Sequence, residues 1–286
     1  MVGDGHGKEG VQGMSVDEVT QDCISGRLMI SQRRKGYRYG LDALLLATDL
    51  PEIKALAQKG CVLELGAGQG AVGLSIASRK AASRVVLVER NDVMRALLLA
   101  NVEHNKSLWG DVDVQVKEVD LREYRAHLDA HSADLVLCNP PYFPLGYRRE
   151  SEQADRADAH HERHGGLGDF LKAATYCMKH RGWLKMIIPP WRLSDVMTDL
   201  PHDLKVLSLR FIHAEPGEVA YLVEIIARRG GGPELTIRPP LFVRDADGMY
   251  SMEVARRVAG AALEDSPAED VVEKVQRASD KKRGMA

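Results

Sequence analysis

The sequence has few cysteines, no long apolar run and no internal repeat. No apolar run reaches about 18 residues, the length that a membrane-spanning helix needs, and residues 1–20 lack the basic start and apolar middle of a signal peptide. The cysteines Cys23, Cys61, Cys138 and Cys177 show neither a CxxC pair nor regular spacing, which argues against a disulfide framework and a zinc site. We therefore expect a cytoplasmic protein that binds neither a membrane nor a metal ion.

Charge of one sign is also scarce, since the net charge of the 286 residues is only −2. A value so close to zero does not by itself indicate a partner. One window differs, because residues 27–38 (RLMISQRRKGYR) contain five cations and no acid. This window is typical of a solvated β-hairpin whose edge is protected by charge. It also fits a surface that grips phosphate groups beside an active site.

A regular alternation of strands and helices fills the middle of the chain. Apolar runs predict seven strands at 61–65, 84–89, 112–119, 133–138, 183–189, 205–213 and 219–228. Helical patterns precede or separate them at 41–50, 71–79, 92–104, 170–180 and 192–200. The alternation predicts an α/β fold with a doubly wound, mostly parallel seven-stranded sheet that helices cover on both faces.

One domain is predicted at residues 21–260, with a tail at each end. Residues 1–20 are rich in glycine and polar residues and predict a disordered tail. Residues 27–39 predict a short hairpin at the start of the domain, and residues 143–168 predict a long loop next to the substrate. Residues 261–286 carry mixed charge with few apolar positions, which indicates a charged tail or an exposed helix.

A glycine-rich turn follows the first strand of the predicted sheet. Glycines allow positive φ angles there and let a ligand approach the backbone closely. Gly66-x-Gly68-x-Gly70 suits an adenosylmethionine-binding turn, whereas Gly68-x-Gly70-x-x-Gly73 imitates a dinucleotide fingerprint. The turn alone does not decide between these cofactors.

Two carboxylates end the next two strands. Glu89 follows the second strand, where a carboxylate can accept hydrogen bonds from both ribose hydroxyls of an adenine nucleoside. Asp120 follows the third strand and can accept from an adenine amino group, while Leu121 packs on the ring. A plain helix N-cap is the alternative for Asp120.

The most informative stretch is Asn139-Pro140-Pro141-Tyr142, directly after the fourth strand. The prolines carry no N–H, so the backbone is rigid and its carbonyls stay free to accept hydrogen bonds. The Asn139 side chain and the Pro140 carbonyl can hold the two hydrogens of a planar amine, and Tyr142 can stack on its ring. The nitrogen lone pair then points at an electrophilic methyl group, and no strong base is needed.

With these motifs the chain resembles the class I adenosylmethionine-dependent methyltransferases that modify planar amino groups. Within them it is most similar to the bacterial tRNA-Val adenine-N6 methyltransferases, which modify the adenine next to the anticodon. The resemblance runs from about Gln32 to Arg257. It is carried by YGLD (39–42), ELGAGQG (64–70), Glu89, Asp120, NPPY (139–142), LTIRPP (235–240) and MYS (249–251).

The resemblance implies S-adenosylmethionine as cofactor, tRNA as partner, and a monomer or homodimer. The expected catalytic residues are Asn139, Pro140, Pro141 and Tyr142. The expected cofactor contacts are Tyr39, Asp42, Glu64, Gly66, Ala67, Gly68, Glu89, Arg90, Asp120, Leu121 and Asn139. The expected substrate contacts are Arg33, Arg34, Lys35, Arg38, Arg148 and Arg149.

Other substrates stay open on the residues alone. The same Asn-Pro-Pro-Tyr chemistry suits a protein glutamine amide, or a guanine or adenine amine of rRNA. A dinucleotide-dependent enzyme or a non-catalytic scaffold agrees least with the combination of both motifs.

Overall fold

The fold is known from a computed structural model, which describes residues 18–54, 56–142 and 166–259. In this part of the chain a nine-stranded sheet and a separate two-stranded hairpin are flanked by helices. The strands are β1 (Val19–Ile24), β2 (Leu28–Arg33), β3 (Cys61–Leu65), β4 (Arg84–Val88), β5 (Asp113–Lys117), β6 (Ala133–Cys138), β7 (Met178–Ile188), β8 (Leu204–His213), β9 (Ala220–Arg229), β10 (Thr236–Ile237) and β11 (Leu241–Phe242). The helices are α1 (Leu41–Leu46), α2 (Leu56–Lys59), α3 (Ala71–Ser78), α4 (Asp92–Asn105), α5 (Tyr124–His127), α6 (Leu167–Cys177), α7 (Leu193–Asp199) and α8 (Met252–Ala259).

The large sheet has the order β10-β8-β9-β7-β6-β3-β4-β5, and β11 also pairs with β8. Only β9 runs antiparallel to its long neighbours, β7 and β8. The strand order reverses at β3, which pairs with β4 on one side and with β6 on the other. In open α/β sheets, ligands bind in the crevice outside the carboxyl ends of the strands at such a switch point.

Helices cover both faces of the sheet, as the near-continuous apolar strands predict. One face packs against the hairpin, α1, α3 and α8 through residues such as Ile30, Leu45 and Leu74. The other face packs against α6 and α7 through residues such as Leu171 and Val196. The predicted fold class, a doubly wound and mostly parallel sheet, is confirmed. Besides the seven long strands, the sequence predicts a short strand at ELTIR (234–238), which contains β10, whereas β11 has no predicted counterpart.

The hairpin lies earlier in the chain than the predicted span 27–39. Its first strand, β1, begins at Val19 inside the predicted tail, and Ile24 pairs with Leu28 across a three-residue turn. Ser25 and Gly26 in this turn have φ angles of 50° and 70°, which reverse the chain tightly. The side chains of Leu28 and Ile30 are buried in the main core, and this burial fixes the position of the strand.

Several helices also differ from expectation: α1 ends at Leu46, short of the predicted residue 50, and the short α2 and α5 have no predicted counterpart. The helix predicted at 170–180 ends at Cys177, because Met178 already pairs with Ala133 of β6 as the first residue of β7. Helix α8 has no predicted counterpart either, although its buried residues Ala255 and Ala259 are four positions apart, as on one face of a helix. The remaining tail residues and most of the predicted loop at 143–168 lie outside the described part of the chain.

Candidate active site at the carboxyl edge of the sheet

The glycine-rich turn connects β3 to α3 in a conformation that only glycine adopts easily. Gly66, Gly68 and Gly70 have φ angles of 72°, 55° and 93°. A Cβ on Gly66 would also lie 3.2 Å from Cε1 of Phe170, a buried residue of α6. The turn therefore exposes backbone at the N-terminus of α3 without a side chain in front of it, as a bound ligand requires.

Glu64 lies behind this turn. Its side chain is only 3% exposed, and Oε2 accepts a hydrogen bond of 2.8 Å from the Gly73 backbone N–H, one of the unsatisfied donors in the first turn of α3. Burial raises the pKa of Glu64 to about 8, and the Glu89 carboxylate acts in the same direction. Glu64 thus joins the end of β3 to the start of α3.

Glu89, which follows β4, holds the turn from the other side. Its Oε2 accepts from the Gly68 backbone N–H at 2.7 Å, and its Oε1 accepts from the Asn91 backbone N–H at 2.7 Å. Burial raises the pKa of Glu89, whereas these two backbone donors lower it. Each carboxylate oxygen keeps a second lone pair, so Glu89 can still accept hydrogen bonds from a ligand.

Asp120 follows β5, and the structure shows it in one of the two roles that the sequence left open, the helix N-cap. It caps a short 3₁₀ turn by accepting from the Arg122 backbone N–H at 3.0 Å. Its carboxylate also pairs with the Arg122 side chain and, at 3.0 Å, with Nε of Arg90. These arginines, Arg122 foremost, lower the pKa of Asp120 to about 2. Asp120 is therefore a charged acceptor at the edge of the site, next to the buried Leu121.

Asn139 and Tyr142, after β6, meet Asp42 in the first turn of α1. Nδ2 of Asn139 donates to Oδ2 of Asp42 at 2.7 Å, and the Tyr142 hydroxyl donates to the same oxygen at 2.6 Å. Because a carboxylate only accepts, this contact determines which end of the amide faces Asp42. The other end, Oδ1 of Asn139, is buried and has no hydrogen-bond partner in the described residues.

Arg192, which sequence reasoning missed, lies in the turn after β7 and contacts the Asn139–Tyr142 stretch. Its side chain is 4% exposed, and Nη1 donates to the Tyr142 carbonyl oxygen at 3.1 Å. Its Nε lies 2.7 Å from Oδ2 of Asp195 on α7. An arginine four positions after Ile188, the apolar end of β7, is a weak sequence signal for this role.

Tyr37 is the tyrosine in front of the glycine turn, whereas the sequence pointed to Tyr39. Cε1 of Tyr37 lies 3.8 Å from the position that a Cβ on Gly68 would take. Burial and the carboxylates of Asp42 and Glu64 raise the pKa of Tyr37. The side chain of Tyr39 instead hydrogen-bonds Asp22 of β1, at the hairpin.

Four of the cations predicted to bind substrate lie at the end of β2 and in the segment after it: Arg33, Arg34, Lys35 and Arg38. The Arg34 backbone N–H donates to the Glu18 carbonyl at 2.8 Å, and Lys35 is exposed. Arg38 forms an ion pair with Asp22 at 3.3 Å, so part of its charge is neutralised. Arg148 and Arg149 lie outside the described residues.

Among the described residues, no group of three or more histidine, cysteine or acidic side chains could hold a metal ion. Within the same ranges, no helix is long and apolar enough to cross a membrane.

The site combines the carboxylates of Asp42, Glu89 and Asp120 with an open glycine turn and the Asn139 amide oxygen. This combination suits a cationic ligand next to an N–H donor. Comparison with known proteins agrees. The fold is that of class I methyltransferases: a predicted O-methyltransferase from Agrobacterium tumefaciens is 26% identical, with a TM-score of 0.57 over 72% of this chain and 88% of that one. TYW2 of Pyrococcus horikoshii shares the fold at 15% identity, with a TM-score of 0.51 over 76% and 74%.

A family model described as lysine methyltransferase matches residues 43–140. Among curated proteins, the chain is similar to the tRNA1(Val) (adenine(37)-N6)-methyltransferase of Pasteurella multocida, with 31% identity over 56% of this chain and 64% of the relative. The enzyme of the same name from Aeromonas hydrophila is 26% identical over 78% of this chain and 89% of the relative. The chain thus spans less than two thirds of the length of the Pasteurella relative. The resemblance to S-adenosylmethionine-dependent methyltransferases that the sequence shows is confirmed.

Proposed function

We propose that this chain transfers a methyl group from S-adenosylmethionine to the N6 amine of an adenine in the anticodon loop of a tRNA. The observation that carries the proposal is the buried Oδ1 of Asn139, which Asp42 orients and which lacks a hydrogen-bond partner among the described residues. A buried acceptor without a partner costs free energy unless a ligand donates to it. The adenine amine is such a donor.

The residues at the carboxyl edge of the sheet suit the cofactor. When bound, S-adenosylmethionine supplies an electrophilic methyl carbon on a sulfonium sulfur. The open backbone of Gly66 and Gly68 leaves room for it, and the remaining lone pairs of Glu89 can accept from its ribose hydroxyls. The carboxylate of Asp42 favours a positive charge nearby.

The amine is a poor nucleophile in solution because its lone pair is delocalised into the adenine ring. Asn139 Oδ1 and the Pro140 carbonyl accept its two N–H bonds and draw the nitrogen toward a tetrahedral shape. The lone pair then attacks the methyl carbon while the bond from carbon to sulfur breaks and its electron pair stays on sulfur. The extra proton on nitrogen leaves to water after transfer, so no strong base is required.

An RNA substrate follows from three considerations. The two curated relatives described above are named as tRNA methyltransferases. Arg33, the last residue of β2, and Arg34 and Lys35 after it can contact phosphates, and Arg148 and Arg149 are proposed to add to them. A loop base is also easier to turn out of its stack than a paired base, by roughly a few kcal/mol. The predicted cytoplasmic location agrees with a tRNA substrate.

The experiment is methyl transfer with labelled S-adenosylmethionine, offered separately to unmodified tRNA, rRNA and a protein extract, followed by nucleoside and amino-acid analysis. We expect label in tRNA as N6-methyladenosine, and none with the Asn139→Ala variant. Label in a protein glutamine, or in a guanine or adenine amine of rRNA, would support the alternatives and contradict the proposed substrate.

A further inference from the structure

A cleft lies away from the glycine turn, at the opposite ends of α1 and α3. It is lined by the hairpin turn, the residues that end α1 and α3, and the last residues of α8. Since α3 rises about 1.5 Å per residue over its eight residues, the cleft is roughly 12 Å from the turn at its start. The proposed methyl transfer makes no use of this cleft.

Three arginines line the cleft: Arg27, Arg79 and Arg257. Arg27 is exposed at the hairpin turn, and Arg79 lies at the end of α3, where Nε donates to the Ser75 carbonyl at 3.1 Å. Burial and the nearby Arg27 guanidinium both lower the pKa of Arg79. No acidic side chain is among the described residues that line the cleft, and Glu224, the carboxylate that pairs with Arg257, lies outside this lining.

Arg257 is the most constrained of the three. Its side chain is 8% exposed, Nε donates to the Thr48 hydroxyl at 3.0 Å, and Nη2 donates to Glu224 at 2.9 Å. Its third nitrogen, Nη1, is buried and has no hydrogen-bond partner in the described ranges. A buried guanidinium nitrogen beside two further arginines calls for an anionic acceptor.

We propose that this cleft binds a phosphate group. Guanidinium groups that approach from the hairpin, α3 and α8 can donate to different oxygens of a tetrahedral anion, which a flat carboxylate would match less well. Ser25, Ser78 and Thr48 also line the cleft, but their hydroxyls donate to backbone carbonyls, so the arginines are the donors proposed for the anion. The phosphate is either part of an RNA backbone or a free phosphate, and the two sources are distinguishable.

Arg27 is the residue to change, because it is exposed and its removal leaves the bonds of Arg79 and Arg257 intact. The first measurement is binding of inorganic phosphate to the full chain at constant ionic strength in chloride. We expect Arg27→Ala to weaken phosphate binding about tenfold, the loss typical of one charge-assisted hydrogen bond. Lys205→Ala, which removes an exposed cation on β8, is the matched control and should leave phosphate binding unchanged.

The second measurement is the salt dependence of binding to a tRNA transcript. A fall of about one in the slope of log K against log salt for Arg27→Ala identifies the RNA backbone as the source. A loss of phosphate binding with an unchanged RNA slope identifies a free phosphate. If the unaltered chain does not bind phosphate, or if Arg27→Ala and Lys205→Ala behave alike, the proposal is overturned. Methyl transfer plays no part in the phosphate measurement, so its outcome is separate from that of the proposed function.

Discussion

Nδ2 of Asn139 and Oδ2 of Asp42 lie 2.7 Å apart, although 97 positions separate the two residues in the chain. The contact links the stretch after β6 to the first turn of α1, and it orients the amide so that Oδ1 faces away from Asp42. An asparagine side chain that rotates freely offers its oxygen only part of the time. Asp42 therefore belongs to the mechanism as a positioning residue, and the proposed chemistry depends on it.

Asp42→Asn replaces a carboxylate, which only accepts hydrogen bonds, with an uncharged amide that accepts through Oδ1 and donates through Nδ2. The amide of Asn139 can then turn either way, and the Tyr142 hydroxyl loses a charged partner. Since a hydrogen bond to a charged group contributes about 1.5–3 kcal/mol, we expect kcat for methyl transfer to fall about 10- to 100-fold. The measurement is single-turnover transfer to tRNA, with Asp113→Asn at the far end of β5 as the control. A kcat equal to that of the unaltered chain would remove Asp42 from the mechanism.

The fold should lose stability as the pH rises through the pKa of Glu64. Burial raises this pKa to about 8, so folding favours the protonated form. The stabilisation is fully present below the ordinary carboxyl pKa, falls as the pH rises, and is lost above about 8. Glu64→Gln keeps an acceptor for the Gly73 N–H but does not titrate. We expect its melting temperature to fall less than that of the unaltered chain between pH 5 and pH 9; parallel curves would contradict the assignment.

Arg192→Gln tests the support of the Tyr142 carbonyl. The change removes the buried guanidinium that donates to this carbonyl and pairs with Asp195. We expect kcat to fall about tenfold while the Kd for S-adenosylmethionine stays constant, because Arg192 contacts the stretch that holds the amine and not the glycine turn. Asp195→Asn, which removes only the outer partner, should have a smaller effect. Equal losses of kcat and cofactor affinity would indicate a general structural role.

The cations at the end of β2 and directly after it should contribute to RNA affinity in a salt-dependent way, most strongly at low salt. Changing Arg33, Arg34 and Lys35 together to alanine removes up to three phosphate contacts, so the slope of log K against log salt should fall by up to about 2 for a single-stranded loop. Arg38→Ala should change it less, since Asp22 already neutralises Arg38. An RNA affinity that the triple change leaves intact would exclude this segment from the interface.

The sheet is the part of the fold that the sequence predicts best. Strands β3 and β6 have the predicted bounds, because each is a short apolar run that ends in glycine or in Asn-Pro. The sequence predicts the hairpin at the wrong position because β1 is largely polar. The position of the hairpin is determined by the burial of Leu28 and Ile30 against distant helices. A local pattern does not contain this information.

The candidate site also has parts that the sequence predicts and parts that it does not. The positions of Glu89 and Asn139 follow from the rule that carboxyl ends of parallel strands meet at one edge. The partners that orient them come from elsewhere: Asp42 from α1, Arg192 from the turn after β7, and Tyr37 from the segment after the hairpin. These contacts depend on how the elements pack, which spacing along the chain does not show.

The most direct test compares cofactor binding and methyl transfer in the Asn139→Ala variant. The account predicts that the rate of N6-methyladenosine formation in tRNA falls at least about 100-fold, the loss typical of one preorganised hydrogen-bonding group at a reacting centre. Calorimetry should at the same time give a Kd for S-adenosylmethionine within about threefold of the unaltered chain, since the glycine turn and Glu89 are intact. A variant that still forms N6-methyladenosine, or that loses transfer and cofactor binding equally, would contradict the role assigned to Asn139.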